Sequence, residues 1–232
     1  MFTIHRHKII VALLCFVAGL QLVAQENQPQ YDNYTIRFGF SVTGMNTNFQ
    51  MKLADDFLKN DSIKTIKVIP FYGFGLGAIA DLKLSKRWSL RTLPSINFAQ
   101  RNIEYDFKDS TQFKSVEIES AYIDLPLLFK YKSQRHKNWR VYVIGGIKFT
   151  YDLASNIDAP RSLNDPIVAL QPFSYSYEFG VGMDLFFPLF KLSPEIKFGQ
   201  SINNVLVPDD YVYTKTLGGL FSRVVTFSFH FE

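Results

Sequence analysis

The sequence predicts an all-β fold: an eight-stranded antiparallel transmembrane β-barrel of the outer-membrane type, following a cleaved signal peptide. Three observations carry this. Apolar and polar residues alternate with period 2 in eight segments after residue 33. The connections between segments alternate between long and short. The two faces of the segments differ in chemistry, one almost free of charge and the other rich in Arg, Lys, Asp and Glu.

Composition sets the bounds. Of 232 residues, 20% are charged and 16% aromatic, with 23 Phe. A mean hydropathy near zero excludes a helical membrane bundle but not a barrel, whose alternating strands average out. The N-terminus reads as a signal: Arg6 and Lys8 form a basic region, Ile9 to Leu20 an apolar one, and Leu22-Val23-Ala24 a cleavage site before Gln25. The domain reading is residues 1–24 signal peptide, 25–33 flexible periplasmic lead and 34–232 barrel. Cys15, the only cysteine, leaves with the signal, so the mature chain has no thiol, disulfide or Cys-based metal site. Losing Arg6 and Lys8 takes the basic residues from 25 to 23 against 21 acidic ones, a net charge of +2. These charges are dispersed, so no nucleic-acid partner is expected.

The first segment, Tyr34 to Met45, sets Ile36, Phe38, Phe40 and Val42 against Arg37, Gly39, Ser41 and Thr43. The second runs from Lys67 to Leu84, the third from Trp88 to Phe98, and the fourth from Ser115 to Tyr131. The fifth spans Trp139 to Tyr151. The sixth, Phe173 to Phe187, is the cleanest alternation. The seventh is centred on Leu192 to Gly199, and the eighth ends the chain at Phe221 to Phe231. Leu53 to Lys59 has room for a turn or two of helix. Long connections span Asn46 to Ile66, Asp106 to Lys114, Asp152 to Gln171 and Asn203 to Gly219. Short ones are Ser85 to Arg87, Ser133 to Asn138 and Pro188 to Phe190. An even barrel with long external loops, short periplasmic turns and both termini periplasmic fits this order.

The charge-poor face has Arg223 as its main exception and requires lipid outside it. On the opposite face, Arg37, Arg91, Asp124, Arg140, Glu178, Asp184, Glu195 and Lys197 are expected to form a lumen ion-pair network. Gly73, Gly75, Gly77, Gly180 and Gly182 leave room for long side chains in a narrow interior. Trp88, Trp139 and Phe187, beside short turns, are expected at the membrane interface. The alternation Phe227 to Phe231 resembles the C-terminal signal of barrel-assembly clients and departs from it by the added Glu232.

No catalytic constellation stands out. Asp124, Glu178, Asp184 and Glu195 read better as ion-pair partners than as hydrolytic carboxylates, since buried charges require partners. His230 could pair with Ser228 or Ser222, but nothing supplies an oxyanion hole. His136 sits in a basic turn and reads as solvated. Gly73 to Gly77 lacks the Lys-Ser/Thr and the helix of a phosphate loop. Asp55-Asp56 and Asp209-Asp210 are weak cation candidates. No cofactor and no enzymatic activity are expected.

Two stretches resemble a known family. Arg37-Phe38-Gly39-Phe40-Ser41 and, more specifically, Tyr122-Ile123-Asp124-Leu125-Pro126-Leu127-Leu128-Phe129-Lys130-Tyr131 are similar to the PorT/SprT family of outer-membrane barrels from Bacteroidetes. Asn138 to Ser155 adds to the likeness. The resemblance implies a non-enzymatic role in type IX secretion and, in gliding species, motility. Its implied partners are outer-membrane lipid and other secretion-system proteins, and it carries no catalytic residue. The competing expectations are a surface-binding or structural barrel with functional loops, a lipid-acting enzyme and a narrow pore.

Overall fold

The computed structural model describes residues 27–54, 63–107, 113–155, 169–208, 214 and 216–232. The signal segment, Asp55-Asp56, Asp209-Asp210 and most of Leu53 to Lys59 lie outside the described residues, though Leu53 itself ends a strand.

Ten strands are described: β1 (Ile36–Leu53), β2 (Ile63–Ile69), β3 (Phe71–Lys83), β4 (Trp88–Thr92), β5 (Ser95–Phe107), β6 (Phe113–Lys132), β7 (Trp139–Asp152), β8 (Phe173–Phe186), β9 (Lys191–Ser201) and β10 (Leu217–Phe231). Every neighbour is antiparallel. The ring runs β1-β10-β9-β8-β7-β6, passes through β4 and β5 to β3, and closes where β3 pairs β1. The expected eight staves are therefore present, but two of them are broken. Pro70 separates β2 from β3, and Leu93-Pro94 separates β4 from β5. A proline has no N–H for the ladder, so breaks at these points follow from its chemistry.

The first stave departs further from expectation. It does not end at Met45 but continues to Leu53, and what was read as loop from Asn46 is strand. The alternation persists and inverts. As far as Val42, outward side chains are apolar and inward ones polar. Beyond it, Asn46, Asn48, Gln50 and Lys52 face out, while Met45, Phe49 and Met51 face in. β5 inverts likewise, from outward Ile96 and Phe98 to outward Gln100, Asn102, Glu104 and Asp106, with Ile103 and Tyr105 buried inside. The outer wall is lipophilic over one half and hydrophilic over the other, as required of strands that leave lipid for water.

That change divides the interior. At the end carrying the long connections, here the loop end, Phe49, Ile66, Ile103, Tyr105, Val116, Ile118, Leu170, Val205, Leu206, Leu217 and Leu220 form one apolar core. Leu170 bridges Leu206, and Val205 donates its N–H to the Leu220 carbonyl at 2.9 Å, so two connections lie across the barrel mouth. At the opposite turn end, the interior is charged.

Residues 27–33 are packed rather than a flexible lead. Tyr31, in a 3-10 turn at Tyr31–Asn33, is buried and donates to Glu232 Oε2 at 2.8 Å. The Asn27 amide nitrogen donates to Asn138 Oδ1 at 2.8 Å, and the Arg135 guanidinium lies 3.7 Å over the Phe186 ring while donating to the Asn27 and Gln28 carbonyls. Apolar and cationic partners on the barrel rim hold this segment against the opening.

Candidate functional site

The period-2 geometry sends every second side chain inward, and the register decides which charges meet. β1 Arg37 lies opposite β3 Asp81, and the two are ion-paired. β4 Arg91 lies beside the same Asp81 at 3.2 Å and reaches Glu195 at 3.5 Å and Glu232 at 2.7 Å. Asp184 accepts from Lys130 at 2.9 Å, Arg140 at 2.7 Å and Ser193 at 2.7 Å, with Lys191 at 3.6 Å. Arg140 also reaches Asp32 at 2.7 Å, and Lys191 reaches Glu232 at 2.9 Å. Nearer the loop end, Glu178 engages Lys148 at 2.9 Å and Lys197 at 3.4 Å, while Asp124 engages Lys148 at 3.4 Å and Asn97 at 2.8 Å.

All eight charged residues named from sequence lie in this lumen. Asp81, Lys130, Lys148, Lys191, Asp32 and Glu232 join the same network beyond the eight expected from the sequence. Glu232 looked like a defect in the terminal signal; here it neutralises Arg91 and Lys191. Asp32 and Glu232 lie outside the strands. Burial opposes the charge on each. Arg140 outweighs it at Asp32, holding the carboxyl below its usual range, and Lys191 and Arg91 hold Glu232 at about 2.

His230 does not meet Ser228 or Ser222. Its Nδ1 lies 3.0 Å from Ser41 Oγ, directly across the β1–β10 seam, and its Nε2 lies 3.2 Å from Glu195. Ser228 instead hydrogen-bonds Thr43 at 3.1 Å, and Ser222 accepts from Arg101 at 3.0 Å. Ser41, His230 and Glu195 are sealed from solvent, so no substrate reaches them. Gly73 to Gly77 is the middle of β3. Among the described residues, no cluster of His, Cys, Asp and Glu could hold a metal ion.

Room in the lumen is scarce. Gly182 makes space for the Tyr142 ring: a Cβ there would collide with it. Tyr142 in turn donates to Glu195 at 2.7 Å and underlies Lys130 at 3.6 Å. Between the ion pairs and the loop-end core lies a cavity of about 60 Å³, lined by groups that include Asn97, Arg101, Tyr122 and Ser176.

Outside, Trp88 is half exposed and packs on Tyr131 at 4.8 Å, and Trp139 lies edge-on to His136 at 5.8 Å. Phe187 stacks on Phe190 at 5.1 Å, and Phe190 continues to Phe231 and Phe40. All lie at the turn end.

A family model described as "Outer membrane protein beta-barrel domain" matches residues 23–207. Solved structures similar to the chain include Neisserial surface protein A, with TM-score 0.45, 9% identity and coverage of 85% of this chain and 98% of that one. OprG from Pseudomonas aeruginosa gives 0.43, 11%, 83% and 92%, and Ail of Yersinia pestis gives 0.35, 12%, 84% and 96%. No curated protein matches the chain.

Proposed function

The chain belongs to the outer membrane protein β-barrel family, and from that premise we propose a non-enzymatic component of type IX protein secretion that acts through its loop end and rim as an assembly or interaction partner. The observation that carries the interaction role is the lumen. Among the described residues, opposed buried charges and the packed N-terminal segment fill the turn end of the lumen, which moves function to the surfaces. The assignment to secretion, and in gliding species to motility, is supported by the resemblance of Tyr122 to Tyr131 and Asn138 to Ser155 to the PorT/SprT family.

In this reading residues 1–24 are removed on export, and the turn end with both termini faces the periplasm, because short turns mark that side in such barrels. Trp88, Trp139 and Phe187 then mark the periplasmic interface of the membrane. The partners are outer-membrane lipid and other secretion-system proteins. Deleting the gene and taking a census of secreted proteins tests it: cargo bearing the C-terminal sorting domain stays in the cell while other envelope proteins are unaffected. Normal cargo secretion refutes the secretion role.

One observation favours a second reading, a surface-binding barrel. The apolar core under Leu170 and Leu206 gives the loop end a rigid platform of the kind binding loops need. Loss of ligand binding on loop replacement, with secretion intact, would select it.

A further inference from the structure

Among the described residues, the upper edge of the apolar band on the outer wall carries one charge. Arg223 occupies an outward position of β10, directly above Val225 and Phe227, which are 40% and 48% exposed. It stands where β1 changes from outward Val42 to outward Asn46 and Asn48, at the upper edge of the apolar band, and Asn48 is its cross-strand neighbour.

Its neighbours hold it ready. Nη2 donates to Gln50 Oε1 at 2.9 Å, Gln50 is hydrogen-bonded to Gln200 of β9, and the guanidinium lies 5.9 Å over the Phe198 ring. Nε is buried and has no hydrogen-bond partner. Lys52, two outward rows higher, is held 4.9 Å over Phe221. Among the described residues, β9, β10 and β1 present no outward carboxylate here. On the other side of the loop end, by contrast, Lys67 of β2 lies opposite Glu104 of β5, with Asp106 outward on the same strand. Below the cations, a Cβ on Gly44 would meet nothing, which leaves a shallow furrow beside Phe227.

We propose that Arg223 and Lys52 bind the phosphate of an outer-leaflet lipid, with an acyl chain lying along Gly44, Val225 and Phe227. An oxyanion complements the solvent-facing part of the guanidinium and the Lys52 ammonium, which has no carboxylate partner among the described residues, and the apolar strip below takes the chain. The leaflet rests on the reading that the loop end faces outward; the site itself does not.

The test is native mass spectrometry of the folded barrel in detergent, titrated with diphosphorylated lipid A and with a dephosphorylated lipid of identical acyl chains. Two surface cations give the phosphorylated lipid a preference of roughly 30-fold. The Arg223→Ala/Lys52→Ala variant loses that preference while keeping heat-modifiable migration, and Lys86→Ala/Arg87→Ala at the turn end keeps it. Equal binding of the two lipids by the unmodified protein, or a preference that survives in the Arg223/Lys52 variant, overturns the proposal. Orientation is read separately: a protease site inserted at Lys86 that is cut on intact cells refutes the outward loop end without touching the binding result.

Discussion

Replacing Asp184 with Asn removes the charge on which one side of the turn-end lumen converges, at almost constant volume. Asp184 is fully buried, and its cations are Lys130, Arg140 and Lys191. These do not suffer equally. Arg140 keeps Asp32 at 2.7 Å and Lys191 keeps Glu232 at 2.9 Å. Lys130, also fully buried, is left with the face of Tyr142 at 3.6 Å. Breaking a buried pair by removing one partner costs about 3–5 kcal/mol, and the Tyr142 face, in contact with Lys130 before and after the change, places this case at the low end of that range. The expected loss is therefore about 3 kcal/mol, a rise of over 100-fold in the unfolding constant. Adding Lys130→Met removes the orphaned ammonium, and the double variant recovers most of that loss. Urea unfolding in lipid vesicles, followed by Trp88 and Trp139 fluorescence, measures both. A cost below about 1 kcal/mol for Asp184→Asn, or a double variant no more stable than the single one, refutes the claim that the network sets stability.

Three further outcomes follow from the same structure. Gly182→Ala drives a methyl into the Tyr142 ring and costs about 2 kcal/mol, and Tyr142→Leu restores most of it; unchanged stability in the same unfolding assay contradicts the packing described. Because the folded carboxyls of Glu232, at about 2, and of Asp32 lie below their unfolded values, they stabilise the packed N-terminal segment above the unfolded Glu value of 4.5, and this is lost as pH falls toward 2. A spin label at Asn33 is accordingly immobile at pH 7 and mobile near pH 2, and a transition near neutrality refutes the assignment. Leu220→Asp places an unpaired charge in the loop-end core, opening the loop end to proteolysis while the barrel below keeps its heat-modifiable migration; protease resistance equal to that of the unmodified protein speaks against a separate core.

What the sequence made legible followed from local alternation. The sixth segment, read as Phe173 to Phe187, is strand Phe173–Phe186. The upper half of β1 was illegible because a rule tuned to apolar-out strands sees loop where the faces exchange. Asn46 to Lys52 alternates as regularly as Tyr34 to Met45, with its polarity reversed by water. Pro70 and Pro94 broke staves that Pro126 and Pro194, inside β6 and β9, did not break. Side-chain type alone does not distinguish these cases, since each depends on whether the missing N–H falls on a paired position. Which residues face the lumen could be read from period 2, but not which charges meet there. Ser41 and His230 are 189 residues apart and become neighbours only through the register of the closing seam. Glu232 joined the network for the same reason.

We propose that the barrel is closed to solutes and works by its surfaces. Conductance of the folded, purified protein in a planar bilayer tests it most directly. No unit steps above the bare membrane are expected. A reproducible unit conductance that disappears when the barrel is heat-unfolded before insertion would contradict it.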